Sequence, residues 1–161
     1  VGISESDLQH LRRCVELAGE ALAAGDEPFG SILVDSAGQT LFEDRNRVKG
    51  GDNTRHPELA IALWAVANLQ PGDRATATVY TSGEHCPMCA AAHAWVGLGR
   101  IVYAVSSSQF SSWLREWDSP PSPVAGLSIN TVAPTVPVDG PAADLEVDMK
   151  ALYSQRFGPT S

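Results

Sequence analysis

The chain has 161 residues, 43% of them hydrophobic and 19% charged, a composition that excludes a disordered or fibrous protein. It contains no run of about 18 apolar residues, so no transmembrane helix and no membrane partner are expected. The formal net charge of −8 opposes a polyanionic partner, because nucleic-acid binding depends on Lys and Arg neutralising phosphates.

The first seven residues are acidic and lack a basic-then-apolar signal region. Leu8, Leu11, Val15, Ala18 and Leu22 then recur at helical spacing, which predicts an amphipathic helix ending near Gly25. Cys14 lies beside that stripe and reads as a core thiol. Residues 29–35 read as a strand, 36–39 as a turn, and 40–48 as the second strand of a hairpin. Arg45, Arg47, Lys49 and Arg55 form a local basic cluster, read as a solvated strand and loop.

A loop at 50–53 leads into an Ala- and Leu-rich helix over 54–69, stopped at Pro71-Gly72. Residues 76–81 are β-rich, 86–98 form a second Ala-rich helix ended by Gly97 and Gly99, and 101–105 form a strand. Residues 106–126 are rich in Ser, Pro and Trp and read as an excursion with a short helix around Trp113. Residues 128–132 read as a last strand and 142–157 as a terminal helix. Strands alternating with helices after an opening hairpin predict one α/β domain over 1–161, its sheet covered by helices on both faces.

Two short motifs carry chemistry. His56-Pro57-Glu58 and Cys86-Pro87-Met88-Cys89 each open a predicted helix, thirty residues apart. Cysteines three apart at a helix start can converge on one ion, and the helix N-terminus favours the thiolate that metals require. With the imidazole of His56 they make three ligands of types that zinc accepts. Three is the number of a catalytic zinc, which keeps a fourth place for water. Such a site lowers the pKa of water to about 7, and Glu58 stands two residues from the histidine, where a carboxylate could take up the proton. A C-x-x-C pair alone also fits a redox site. A structural zinc in a binding module would need a fourth ligand, for which His85 and His93 are the nearby candidates. The odd cysteine count and the C-P-M-C spacing fit a reducing compartment, here taken as the cytoplasm.

H-x-E followed by C-x-x-C resembles the pattern of the zinc nucleobase and nucleoside deaminases, the cytidine-deaminase superfamily. Pro28 to Val34 resembles the first-strand motif of that superfamily, and Asn46 its substrate-binding asparagine. The resemblance runs from about residue 5 to residue 105 and is greatest to the guanine-deaminase and tRNA-adenosine-deaminase branch. It implies a three-layer α/β/α fold with a mixed five-stranded sheet, zinc on His56, Cys86 and Cys89, and a homodimer. It also implies a mechanism in which activated water attacks the amine-bearing ring carbon, Glu58 moves the protons and ammonia leaves. Asn46 would orient the ring and Phe29 would form a wall.

The chain departs from the family pattern in several places. His85 replaces the usual proline before the first cysteine, which puts an imidazole near the metal. Gly83 stands where relatives carry larger side chains, so a roomier pocket is expected there. Pro57 replaces Ala or Val. It suits the first helical position but removes an N–H that in relatives often faces the substrate. Ser106-Ser107-Ser108 replaces an Arg-Asp turn of the tRNA branch, and the C-terminal segment carries Asp144, Glu146 and Asp148. These features favour a free base or an analogue such as a triazine over tRNA adenosine, the alternative substrate. Trp113 and Trp117 are candidates to cover the site, although an aromatic residue there also suits the core.

Overall fold

A computed structural model describes residues 2–160. The chain opens with helix α1 (Glu5–Ala23). Its start is fixed by a capping box, in which the Ser4 hydroxyl accepts from the Asp7 N–H at 3.1 Å and the Asp7 carboxylate accepts from the Ser4 N–H at 2.9 Å. Its apolar stripe, Leu11, Cys14, Leu17, Ala18 and Ala21, is buried, so the Cys14 thiol is a core group. Strands β1 (Gly30–Val34) and β2 (Thr40–Arg45) form the hairpin. The Asp35 carboxylate holds the turn by accepting from the N–H groups of Ala37 and Gln39.

Helices α2 (Pro57–Asn68) and α3 (Pro71–Thr76), strand β3 (Thr78–Gly83), helix α4 (Pro87–Trp95) and strand β4 (Ile101–Val105) follow. Helices α5 (Ser107–Glu116) and α6 (Ile129–Val132), strand β5 (Val138–Asp139) and helix α7 (Glu146–Phe157) complete the chain. The sheet has the order β2-β1-β3-β4-β5. β1 is antiparallel to both β2 and β3, while β3–β4 and β4–β5 are parallel. This is the mixed five-stranded sheet between helical layers that the family resemblance implies.

Strand alternation sorts the core into two layers. Ile32, Val34, Tyr80, Val102 and Ala104 face α1, Trp113 of α5, and Met149 and Tyr153 of α7. On the other face Leu33 and Val79 pack on Ile61, Ala62 and Ala65 of α2, and Ile101 packs on Ala90 of α4 and Ile129 of α6. Gly30 is required where α1 crosses β1: a Cβ there would lie 2.4 Å from Leu17 Cβ and 2.5 Å from the Cys14 carbonyl oxygen.

Several boundaries differ from the sequence reading. Residues 128–132 are not a strand. The four residues of α6 form a helical turn because the Glu84 carboxylate accepts from the Ile129 N–H at 2.9 Å and the Ile129 side chain is buried. The fifth strand is the two-residue β5. β2 stops at Arg45, where Asn46 turns inward and a 3₁₀ turn follows at Val48–Gly50. α2 starts at Pro57 rather than at residue 54, because Thr54 is held in a turn by the Asp52 carboxylate. Pro71, read as a stop, is the first residue of α3. β3 spans 78–83 rather than 76–81, which carries Thr81 and Gly83 to the end of the sheet where α2 and α4 begin.

The basic cluster is mostly neutralised locally. Arg45 pairs with Asp26 at 2.7 Å, Arg47 pairs with Asp44 at 2.9 Å, and the Lys49 ammonium donates to the Ala24 carbonyl. No helix among the described residues is long and apolar enough to cross a membrane.

Candidate active site

His56 is the N-cap of α2 and Cys86 the N-cap of α4, with Cys89 in the first turn of α4. The proline after each N-cap, Pro57 or Pro87, suits the first helical position. The two helices pack against each other, so their positive N-terminal ends meet. His56 Nδ1 lies 3.5 Å from Cys86 Sγ and 3.6 Å from Cys89 Sγ, and all three donor atoms lie within 4.8 Å of one another. A tetrahedral zinc with ordinary Zn–N and Zn–S bonds has N···S edges of about 3.6 Å. The donor set therefore fits zinc in both chemistry and spacing.

In the absence of a metal, one of these three donors is ionised and two hold protons. The hydrogen bond from Cys89 and the neighbouring His56 outweigh burial and bring the Cys86 thiol down to about 4. His56 is raised to about 9, chiefly by its contact with Cys86. Cys89 is pushed up by its bond to Cys86 and by burial. The three residues thus hold one thiolate and share protons that a metal would displace.

Glu58, in the first turn of α2, is buried with 6% exposure. Burial raises its carboxyl above the ordinary range, opposed by His56 and by hydrogen bonds. Its Oε1 lies 2.8 Å from Thr81 Oγ1 and 3.3 Å from Ser31 Oγ. Ser31 Oγ lies 2.8 Å from Thr81 Oγ1, which lies 2.9 Å from the Gly83 carbonyl oxygen. Each hydroxyl has one hydrogen, and these distances admit two complete arrangements. With Glu58 ionised, Thr81 donates to it and Ser31 donates to Thr81. With Glu58 protonated, Glu58 donates to Thr81 and Thr81 turns to the Gly83 carbonyl. The carboxyl can therefore gain or lose a proton without stranding a buried partner. Neither Ser31 nor Thr81 was singled out from sequence. The available signal was weak: Ser31 is the one hydroxyl residue of β1, but β3 carries Thr78 and Ser82 as well as Thr81.

Asn46 is buried, and its Oδ1 accepts from the N–H groups of Glu27 and Val48, both at 3.2 Å. This fixes the amide orientation and leaves Nδ2 without a hydrogen bond among the described residues. Phe29 is half-buried and packs on Tyr153 at a centroid distance of 5.4 Å and on Phe110 at 5.8 Å. Pro57 is buried at the start of α2 beside Glu58.

The room expected at Gly83 is already filled. A Cβ on Gly83 would lie 2.7 Å from the Tyr153 hydroxyl and 3.4 Å from the Phe29 ring, because α7 delivers Tyr153 into that space. His85 is buried with neither ring nitrogen hydrogen-bonded among the described residues, and its ring meets His93 edge-on at 5.5 Å. His93 packs within the fold, its Nε2 lying 2.7 Å from the Gly99 carbonyl oxygen. Trp113 is a core residue packed against Tyr153 at 6.0 Å, and Trp117 is half-buried at the edge of the same cluster.

Residues 4–105 match the cytidine and deoxycytidylate deaminase zinc-binding region, and the chain belongs to that family. It is 35% identical over 105 residues to a probable cytosine deaminase of Schizosaccharomyces pombe, covering 65% of this chain and 64% of the relative. It is 34% identical over 104 residues to a tRNA-specific adenosine deaminase of Haemophilus influenzae, covering 64% of this chain and 60% of the relative. The matched region spans less than two thirds of each of these relatives. The solved structure of a guanine deaminase from Nitrosomonas europaea shares the fold, with a TM-score of 0.72 at 19% identity over 96% of this chain and 85% of that one.

Proposed function

We propose that this chain is a zinc-dependent hydrolase that removes the amino group of a small heterocycle, a free nucleobase or an analogue such as a triazine, as ammonia. The observation that carries the reading is the pairing of a zinc-spaced donor triangle with a buried carboxyl whose hydroxyl partners serve both of its protonation states. His56, Cys86 and Cys89 would hold the metal. When bound, zinc supplies the Lewis acidity that makes water nucleophilic near neutral pH.

The protein's own groups do the rest. Glu58 accepts a proton from the attacking water as oxygen bonds to the amine-bearing ring carbon, and Thr81 swings its hydrogen to the Gly83 carbonyl. Glu58 passes that proton to the ring nitrogen, then takes the second proton from the hydroxyl of the tetrahedral adduct and delivers it to the departing amine. The C–N bond breaks, ammonia leaves and a carbonyl remains. Asn46 Nδ2 orients the ring by donating to an acceptor on it, and Phe29 and the Pro57 ring provide apolar walls. Elevation of the Glu58 pKa by burial suits this exchange, since a shuttle works best with its pKa near the working pH.

The acidic chain and the local pairing of its basic cluster favour a small uncharged substrate over tRNA. The exposed apolar residues Leu63 and Val66 on α2 and Trp95 on α4 support work as a homodimer, and the free thiols support a reducing, cytoplasmic setting. Ammonia release from zinc-loaded protein across cytosine, guanine, adenine, their nucleosides, aminotriazines and a tRNA tests the reading. Turnover of a free base or triazine is expected. Faster deamination of the tRNA than of every small heterocycle would overturn the substrate class.

A further inference from the structure

We propose that Tyr153 is a substrate-specificity residue whose hydroxyl, seated against Gly83, hydrogen-bonds an acceptor atom on the edge of the heterocycle. This rests on the deaminase reading above and deepens it. Tyr153 is completely buried, and its hydroxyl has no hydrogen-bond partner among the described residues. An unpaired buried hydroxyl destabilises a fold. Its neighbours Phe29, Phe110, Trp113 and Phe157 are all aromatic, so phenylalanine at 153 would pack there without that penalty. Packing accounts for the ring and leaves the oxygen unexplained.

The place of the oxygen supplies the explanation. Gly83 ends β3, whose Thr81 holds Glu58, and it lies three residues before Cys86. The Phe29 wall borders the same point. The one residue that the hydroxyl is seen to crowd is thus on the strand that carries the site. A side chain at 83 would occupy the position of the hydroxyl, so Gly83 and Tyr153 act as a pair: one leaves the space and the other fills it from a distant helix. Burial and the nearby Glu58 carboxyl keep the phenol protonated, so it remains a donor. With Asn46 Nδ2 it gives two donors, so the matching ligand is a ring bearing two acceptors, carbonyl oxygens or unprotonated ring nitrogens. The hydroxyl is enclosed in this structure, so the proposed contact includes a shift of the wall of Tyr153, Phe110 and Phe29 that admits the ring.

Tyr153→Phe in the full, zinc-loaded chain separates a recognition role from a structural one. Cytosine, guanine, 2,6-diaminopurine and an aminotriazine are screened first with the wild-type protein, and the best substrate is used for both proteins. We expect unchanged zinc content, a Tm equal to or above wild type, and a kcat/KM lower by about tenfold to hundredfold, mostly through KM. Gly83→Ala should also lower kcat/KM, but by a smaller factor in the Tyr153→Phe background, because the oxygen it strikes is gone. A kcat/KM within twofold of wild type, or a lowered Tm or failure to fold in Tyr153→Phe with specificity unchanged, would overturn the inference and make the hydroxyl a structural group. Absence of ammonia from every heterocycle with wild-type protein would instead sink the deaminase reading, and this inference with it.

Discussion

Thr81 Oγ1 sits between two acceptors, 2.8 Å from Glu58 Oε1 and 2.9 Å from the Gly83 carbonyl oxygen. One hydroxyl on β3 therefore serves both the buried acid and the backbone shortly before Cys86 and Cys89. Because it can face either acceptor, it ties the protonation of Glu58 to a single rotation of a threonine side chain.

Thr81→Val keeps the shape and removes this switch. Of its side-chain partners Glu58 would retain only Ser31, at the longer distance. The expected result is a kcat lower by about tenfold to hundredfold with zinc content unchanged, since one hydrogen bond to a charged group is worth about 1.5–3 kcal/mol. Losing a donor to the carboxylate raises the Glu58 pKa further, so the acidic limb of the kcat–pH profile should move to higher pH. An unmoved limb would show that Thr81 does not govern Glu58.

Glu58→Gln should reduce kcat by at least about a hundredfold while metal analysis still finds one zinc per chain, because in the proposed reaction the carboxyl carries protons and stands outside the donor triangle. Cys86→Ala gives the opposite pattern: zinc is lost and Tm falls, as metal binding and folding are coupled. Retention of activity within tenfold in the glutamine variant would remove Glu58 from the mechanism.

Pro57 offers no N–H at a position where a donor could face the ring. A substrate acceptor facing it would be buried without a partner, at a cost of about 1–3 kcal/mol, or roughly a tenfold to hundredfold handicap. Pro57→Ala restores the donor without adding bulk. The ratio of kcat/KM for guanine or cytosine to that for the preferred substrate should rise, with zinc content unchanged. Measuring the ratio on one panel for both proteins separates specificity from general loss. A constant ratio would show that the missing donor selects nothing.

Asp7 predicts the acid stability of the fold. Burial pushes its carboxyl up, but hydrogen bonds from Arg100, the Ser4 N–H and Tyr80 outweigh burial and hold it below the ordinary 3.8. A carboxyl lowered in the folded state stabilises the protein above its unfolded pKa, and that contribution is lost as pH falls below about 4. Asp7→Asn should destabilise the chain by about 2–3 kcal/mol at neutral pH, with Arg100 still paired to Asp139. Denaturant titrations of the two proteins should converge as the pH is lowered below 4. Parallel curves would locate the acid sensitivity elsewhere.

The donor triangle was legible because its parts are local. His56 and Cys86 are N-caps, and a helix start directs its N-cap side chain and first turn in much the same way whatever lies beyond. Two motifs thirty residues apart then needed only a packed pair of helices to meet. The hairpin, the terminal helix and the layer order followed from apolar periodicity for the same reason. The reading failed where a distant group decided the outcome, as at residues 128–132, where the Glu84 carboxylate turned β-branched residues into a helical turn.

By itself, the sequence determined which donor residues, His56, Cys86 and Cys89, come together, the acid beside them and the alternation of strands and helices, all carried by short-range spacing. Tertiary structure alone decided what surrounds that acid. Ser31 and Thr81 meet Glu58 only because the β1–β3 register pairs them, and a one-residue slip would turn both hydroxyls to the opposite face. Tyr153 reaches Gly83 only because the last helix packs across the end of the sheet, a contact seventy residues away in sequence and set by the shape of the aromatic core.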